Sequence, residues 1–293
     1  MHRRAAWCCA VAGALAAATG CSSSSTSPNA SSTPSTPAVG GAGAIHASLA
    51  AMPTGTVVLS WDPGSKLVTA VVDMSGLTPG SAHAVHIHPG TCAAQNQPPS
   101  VPFPDITADS AGVVHQTITS TATPAGIPNG ALVNVHLAPS SGLGGPGQLG
   151  YTPIACGDIP AATPPSGPVT VPLSAAPSNG TTPTGTVTLS YDPTRHSLHV
   201  DLTATGLPAD SAHAAHIHSG TCTAQGPVGY PLPDLQADGH GSAHLSTTIN
   251  NVTQAPPATG WFVNVHMGPA AQIELNNQPT LLFAPILCAN ITH

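Results

Sequence analysis

His83-Ala84-Val85-His86-Ile87-His88-Pro89-Gly90-Thr91-Cys92 returns 130 residues later as His213-Ala214-Ala215-His216-Ile217-His218-Ser219-Gly220-Thr221-Cys222. In an extended strand, side chains two apart share a face. His86 and His88 therefore aim their imidazoles together while Ile87 turns to an apolar layer, and His216, Ile217 and His218 repeat the pattern. Downstream, Val133-Asn134-Val135-His136 alternates like a strand, and Val263-Asn264-Val265-His266 keeps the same offset. Each repeat thus offers three histidines from two strands. A lone histidine in such a strand is ordinarily a core residue bonded to a carbonyl, but an H-x-H pair with a third histidine, present twice, points to a metal site.

The duplication extends well beyond the histidines. Thr54-Gly55-Thr56-Val57 matches Thr184-Gly185-Thr186-Val187, Asp62-Pro63 matches Asp192-Pro193, Gly76-Leu77 matches Gly206-Leu207, and Pro153-Ile154-Ala155-Cys156 matches Pro285-Ile286-Leu287-Cys288. Between these landmarks lie β-branched runs of strand length, at 57–61, 67–73 and 113–118, bounded by Asp-Pro and Pro-Gly turns. No capped window of helical periodicity competes with them. The pattern predicts an all-β chain of two tandem Greek-key β-sandwich domains, residues 43–158 and 169–293, joined by a Pro/Ala/Ser-rich linker at 159–168. A Pro-, Ser-, Asn-, Gly- and Thr-rich loop is expected at 177–184, inside the second domain.

The N-terminus carries Arg3 and Arg4, an apolar run over 5–18, then Thr19-Gly20-Cys21 and a string of serines. Residues 1–21 fit an export signal ending in a lipobox, with Cys21 the lipidated residue, although Ala18 replaces the commoner leucine. The run is shorter than the roughly 20 residues that span a bilayer. Residues 22–42, made of Ser, Thr, Pro, Asn, Ala, Val and Gly, have the composition of a disordered or polyproline-like tether. The expected location is the outer face of a bacterial cell membrane, in the envelope.

Cysteine usage agrees with export. Cys8 and Cys9 fall in the signal, and beyond Cys21 there remain Cys92, Cys156, Cys222 and Cys288, two per repeat at matching places. This symmetric set suggests the disulfides Cys92–Cys156 and Cys222–Cys288, with four buried free thiols as the alternative. No C-x-x-C pair offers a cysteine zinc site. After the signal, Lys66 and Arg195 are the only basic residues against eleven acidic ones, a net charge of −9 with neutral histidines. That balance disfavours nucleic acid and anionic lipid as partners, leaving the lipid anchor as the membrane link.

Most of each repeat resembles the copper,zinc superoxide dismutase superfamily. The residues that carry the resemblance are Gly55 to Trp61, Gly76-Leu77-Thr78-Pro79-Gly80, the His83 to Cys92 segment, Thr107-Ala108-Asp109 with Gly112, Leu132 to His136, and Ala155-Cys156-Gly157. The resemblance implies copper-ligand positions at His86, His88 and His136, and at His216, His218 and His266. It implies the family disulfide at Cys92 and Cys156, and again at Cys222 and Cys288. His83 and His213 match a family histidine that lies near the site without binding metal. The loop segments 93–103 and 223–232 contain no histidine where the family's zinc and bridging ligands would stand, and Pro153 and Pro285 replace its superoxide-guiding arginine. Zinc is therefore not expected, and any dismutation of superoxide would be slow. The chain also resembles CHRD (chordin-type) domains through Ala215-His216-Ile217-His218 and Val263-Asn264-Val265-His266, a likeness that favours a non-enzymatic module.

The reading that follows is an envelope-anchored, copper-binding lipoprotein with up to one copper per domain, serving copper handling or low-level superoxide removal. Three imidazoles suit copper, which the Irving–Williams order places above zinc. The alternative is a metal-free adhesion or scaffold module of CHRD type. Asn134 and Asn264, two before the third histidine on the same face, are candidates for a hydrogen bond behind the site. His115 and His244 are expected to be structural, Asp105 and Asp234 to make local turn bonds, and Met267 to pack in the core.

Overall fold

The structure is a computed structural model and describes residues 43–161, 163–176 and 180–293. The export signal, Cys21 and the tether lie outside the described residues. In chain order the longer strands are β1 (Ile45–Ala51), β2 (Thr54–Asp62), β3 (Leu67–Ser75), β4 (Val85–Thr91), β5 (Val114–Thr119), β6 (Ala131–His136), β7 (Pro153–Asp158), β8 (Val169–Ala175), β9 (Thr184–Asp192), β10 (Ser197–Thr205), β11 (Ala212–Thr221), β12 (Ala224–Gln236), β13 (Ala243–Asn250), β14 (Trp261–His266) and β15 (Pro285–Ile291). All ladders among them are antiparallel. The β-sandwich class expected from the sequence is what forms.

Alternation builds the cores. Along β3, Val68, Ala70, Val72 and Met74 are buried while Thr69, Val71 and Asp73 face outward, a period-2 pattern over the whole strand. The β2–β3 hairpin closes through Asp62, whose carboxylate accepts from the backbone N–H of Gly64 (2.9 Å) and Ser65 (3.2 Å). Asp192 repeats the device toward Thr194 and Arg195. These bonds, with the side chains of Ser65 and Arg195, hold both carboxyls below the usual aspartate range.

The first sheet runs Ala94–Gln95, β4, β6, β7, β8, β2, β3, β5, and the second β12, β11, β14, β15, β1, β9, β10, β13. Each therefore takes one strand from the other repeat. β1, at the start of the first repeat, lies between β9 and β15, with Leu49 opposite Gly185 and Ala50 opposite Cys288. β8, at the start of the second, lies between β2 and β7, with Leu173 opposite Gly55 and Ser174 opposite Cys156. The two exchanged strands occupy the same register in each other's sheets. Val171 and Leu173 enter the first core; Ile45 and Leu49 enter the second. Met52, in the two-residue step from β1 to β2, donates its N–H to the Ile286 carbonyl (3.1 Å) and packs on the Cys222–Cys288 disulfide and Phe262.

Within the expected linker, Ile159 belongs to the first core, and the Ser166 carbonyl accepts from Trp61 N–H at 2.9 Å. Both expected disulfides, Cys92–Cys156 and Cys222–Cys288, are present.

Candidate metal centre

Strand alternation places His86 and His88 on the face of β4 opposite the core, with Ile87 fully buried between them. β6 lies alongside, so that Asn134 stands opposite His86 and Leu132 opposite His88. Val133 and Val135 enter the core, which puts Leu132, Asn134 and His136 on the histidine face. The β6–β7 ladder then slips by a residue at Val135/His136, where Pro153 opposes His136. The β14–β15 ladder slips identically at Val265/His266, opposite Pro285. The proline offers no N–H to a ladder, and the irregularity re-aims the third histidine. Past His88, the chain turns at Gly90 (φ 107°), where an added Cβ would lie 2.3 Å from the Ala94 carbonyl; Gly220 (φ 103°) meets Ala224 at 2.4 Å. Only glycine fits that approach, and it brings the following cysteine to its partner strand.

The three imidazoles converge. One ring nitrogen from each of His86, His88 and His136 lies within 4.8 Å of the other two, and His216, His218 and His266 form the same arrangement. All six are buried. His88 Nδ1 faces the Asn96 carbonyl at 3.2 Å and His136 Nδ1 the Tyr151 carbonyl at 2.8 Å. A carbonyl only accepts, so Nδ1 carries the proton and Nε2 presents its lone pair inward. His218 and His266 are fixed in the same way by Gly226 (3.0 Å) and Phe283 (2.5 Å). His86 Nδ1, His88 Nε2 and His218 Nε2 are buried with no protein partner. Burying unpaired polar nitrogens is costly unless something else satisfies them. His88 and His218, oriented from behind by carbonyls, converge with the other two histidines of their clusters into donor sets that can hold a metal ion.

The electrostatics agree. Burial, reinforced by His136 and His88, pushes His86 down to about 4. Burial brings His216 to about 4 and His266 to about 3, and lowers His88, His136 and His218 as well. All six are neutral at pH 7, and in the second cluster His216 Nδ1 donates to His266 Nε2 at 3.1 Å. The unfolded chain, with histidines near 6.5, takes up protons first as the pH falls. Folding stability of the metal-free protein is therefore expected to be full above about pH 6.5 and to decline progressively toward pH 4. Thermal midpoints of chelator-treated protein from pH 7.5 to 4.5 check this, and a flat profile would contradict it.

Other residues singled out in the sequence fall around this centre. His83 Nδ1 donates to the His136 carbonyl (2.9 Å) while its Nε2 meets Ser81 Oγ (2.6 Å); His213 does the same with His266 and Ser211. They fix the backbone of the third histidine. Asp105 and Asp234 do not make local turn bonds. Asp105 accepts from the N–H of Ser140, 35 residues away, and Asp234 from that of Ala270, pinning the segment just past His136 and His266. Long-range pairing of this kind leaves no local sequence signal. His115 and His244 are exposed and paired with Asp73 and Asp201 on neighbouring strands, far from a third donor. Met267 packs, but on the first repeat's core.

Sequence reasoning missed the aromatic walls. Tyr151 lies against His136 (ring centroids 4.6 Å) and Phe283 against His266 (4.4 Å), while Phe262 stacks on His218 (4.8 Å). The signal existed: Tyr151 and Phe283 both stand two residues before the repeated Pro-Ile.

Fold and site together define a disulfide-bonded, tandem-repeat β-protein with two buried trihistidine clusters able to hold a metal ion. Residues 166–275 match the family model of the CHRD domain. The matched segment runs from β8 into the second repeat and contains His216, His218 and His266. No curated protein matches the chain.

Proposed function

We propose that this chain is an exported, lipid-anchored protein that binds one copper ion in each trihistidine cluster and serves copper handling in the envelope. The observation that carries the reading is the pair of buried, unpartnered ring nitrogens at matching places, His88 Nε2 and His218 Nε2, each backed by a carbonyl on the opposite ring nitrogen and each converging with two further histidines. His86, His88 and His136 would hold one ion, and His216, His218 and His266 the other. All-nitrogen donation by neutral imidazoles favours copper over zinc, as does the dismutase resemblance. Bound copper would supply a one-electron couple. The protein orients the lone pairs, excludes bulk water by burial, and keeps the ligands deprotonated.

Low-level superoxide removal is the catalytic extension of this reading. Among the described residues the lysine and arginine, Lys66 and Arg195, sit in the β2–β3 and β9–β10 turns rather than on the strands that carry the histidines, which does not favour steering of an anion to either cluster. The second reading, a metal-free CHRD-type adhesion or scaffold module, is favoured by the match over 166–275.

Metal analysis of the full chain after copper-replete expression in an oxidising compartment separates the two. The copper reading expects about two equivalents, falling to one when His86, His88 and His136 are replaced by alanine and to none when His216, His218 and His266 are replaced too. Folded protein without bound copper would leave the scaffold reading standing. Superoxide turnover above free-copper controls would establish the catalytic extension.

A further inference from the structure

Two equivalent glutamines make different bonds in the two repeats. Gln95 follows Gly90-Thr91-Cys92 by three residues, and Gln225 follows Gly220-Thr221-Cys222 by three. Gln95 stays in its own repeat, where its Oε1 accepts from Asn134 Nδ2 at 3.0 Å. Gln225 crosses to the first repeat: its Nε2 donates to the Leu77 carbonyl (2.9 Å) and its backbone N–H to the Ala111 carbonyl (3.0 Å). Asn264 thereby loses the partner that Asn134 has. It is fully buried, and neither its Oδ1 nor its Nδ2 is bonded.

Asn264 stands at the second cluster. It is directly opposite His216 across the β11–β14 ladder and two residues before His266 on the same face. The first repeat gives the scale of the approach, since the Asn134 amide nitrogen is 3.4 Å from His136 Nε2. Two donors on one tetrahedral ion with bonds of about 2.0–2.1 Å lie about 3.3–3.4 Å apart. In the first cluster the amide edge turned to the ligand nitrogen is Nδ2, held there by Gln95, and an amide NH2 does not coordinate. No such bond fixes Asn264.

We propose that the Asn264 carboxamide oxygen is the fourth donor to a metal ion held by His216, His218 and His266, whereas the first cluster binds through three histidines and leaves its fourth position open. The inference rests on the clusters being metal sites. It makes the two sites inequivalent, and it places the cause in Gln225, which the contact between repeats draws away from Asn264.

The test uses the full chain with His86, His88 and His136 replaced by alanine, loaded with one equivalent of Cu(II). Replacing Asn264 by leucine is expected to weaken Cu(II) binding at least about 10-fold in chelator competition and to shift the copper electron paramagnetic resonance spectrum. Asn264→Asp keeps an oxygen donor and should restore binding. In the reciprocal chain, which retains only the first cluster, Asn134→Leu should leave the copper spectrum close to that of its parent. Without metal, Asn264→Leu should be at least as thermally stable as its parent, because an unbonded buried amide is replaced by an apolar group. An unchanged spectrum and affinity for Asn264→Leu, or a destabilised metal-free variant, would overturn the inference while leaving the copper reading intact. Failure of the parent chain to bind copper would overturn both.

Discussion

Deleting residues 43–51 from the full chain should unfold the second sheet and spare the first. Those residues contain β1, which lies in the interior of the second sheet between β9 and β15 and contributes Ile45 and Leu49 to its core. Truncating a buried large aliphatic side chain costs about 2–5 kcal/mol, so losing both is on the order of 4–10 kcal/mol. A typical domain has only about 5–15 kcal/mol in total. The ladders to β9 and β15 would be lost as well. In the first sheet the corresponding place is filled by β8, which the deletion leaves untouched. Amide hydrogen exchange reads the outcome directly. Protection should vanish from β9, β14 and β15 and persist in β2, β3 and β6. If β1 instead pairs within its own repeat, the losses would fall on β2 and β7, and the exchange of strands would be refuted.

Replacing Cys222 and Cys288 by serine is the second large effect. The bond closes a separation of 66 residues, for which loop-closure entropy assigns about 4 kcal/mol. At about 2–4 °C per kcal/mol for a chain of this size, the thermal midpoint should fall by roughly 8–16 °C. The damage should also reach the second cluster. Cys222 and Cys288 pack against the fully buried Phe262, and Phe262 stacks on His218. Replacing Cys92 and Cys156, which close a similar separation of 64 residues, removes a comparable entropic contribution, but Leu132 stands where Phe262 does in the other repeat. Calorimetry and copper affinity of each double variant check both statements. A drop of less than a few degrees would show that the closed loop is already restrained without the bond. Equal effects on both clusters would show that the Phe262 contact transmits nothing.

The histidine pattern was legible because strand geometry is local. A period of two decides that His86 and His88 share a face, whatever else the chain does. Recurrence at a fixed offset paired them with His136, and the structure brings all three together. The orientation of each ring was not legible. It depends on carbonyls of Asn96 and Tyr151, and every residue has a carbonyl, so no residue type marks the place. The roles of Asp105 and Asp234 were hidden for a related reason: their partners are backbone N–H groups 35 and 36 residues away. The divergence of Gln95 and Gln225 escaped too, since the two sit in matching sequence and only the contact with Leu77 and Ala111 tells them apart.

By itself the sequence determined the β-class, the duplication and the two sets of three histidines, because each follows from alternation, turn chemistry or spacing within a repeat; it suggested the disulfide pairs, which the structure then formed. Which sheet receives each first strand was decided by the tertiary structure alone. Two copies of one domain present similar edges: Leu49 faces Gly185 and Leu173 faces Gly55, at matching places in the two repeats. Pairing rules are degenerate between such edges. The choice falls to contacts that only the assembled molecule contains, among them Met52 packed on the second disulfide and bonded to Ile286.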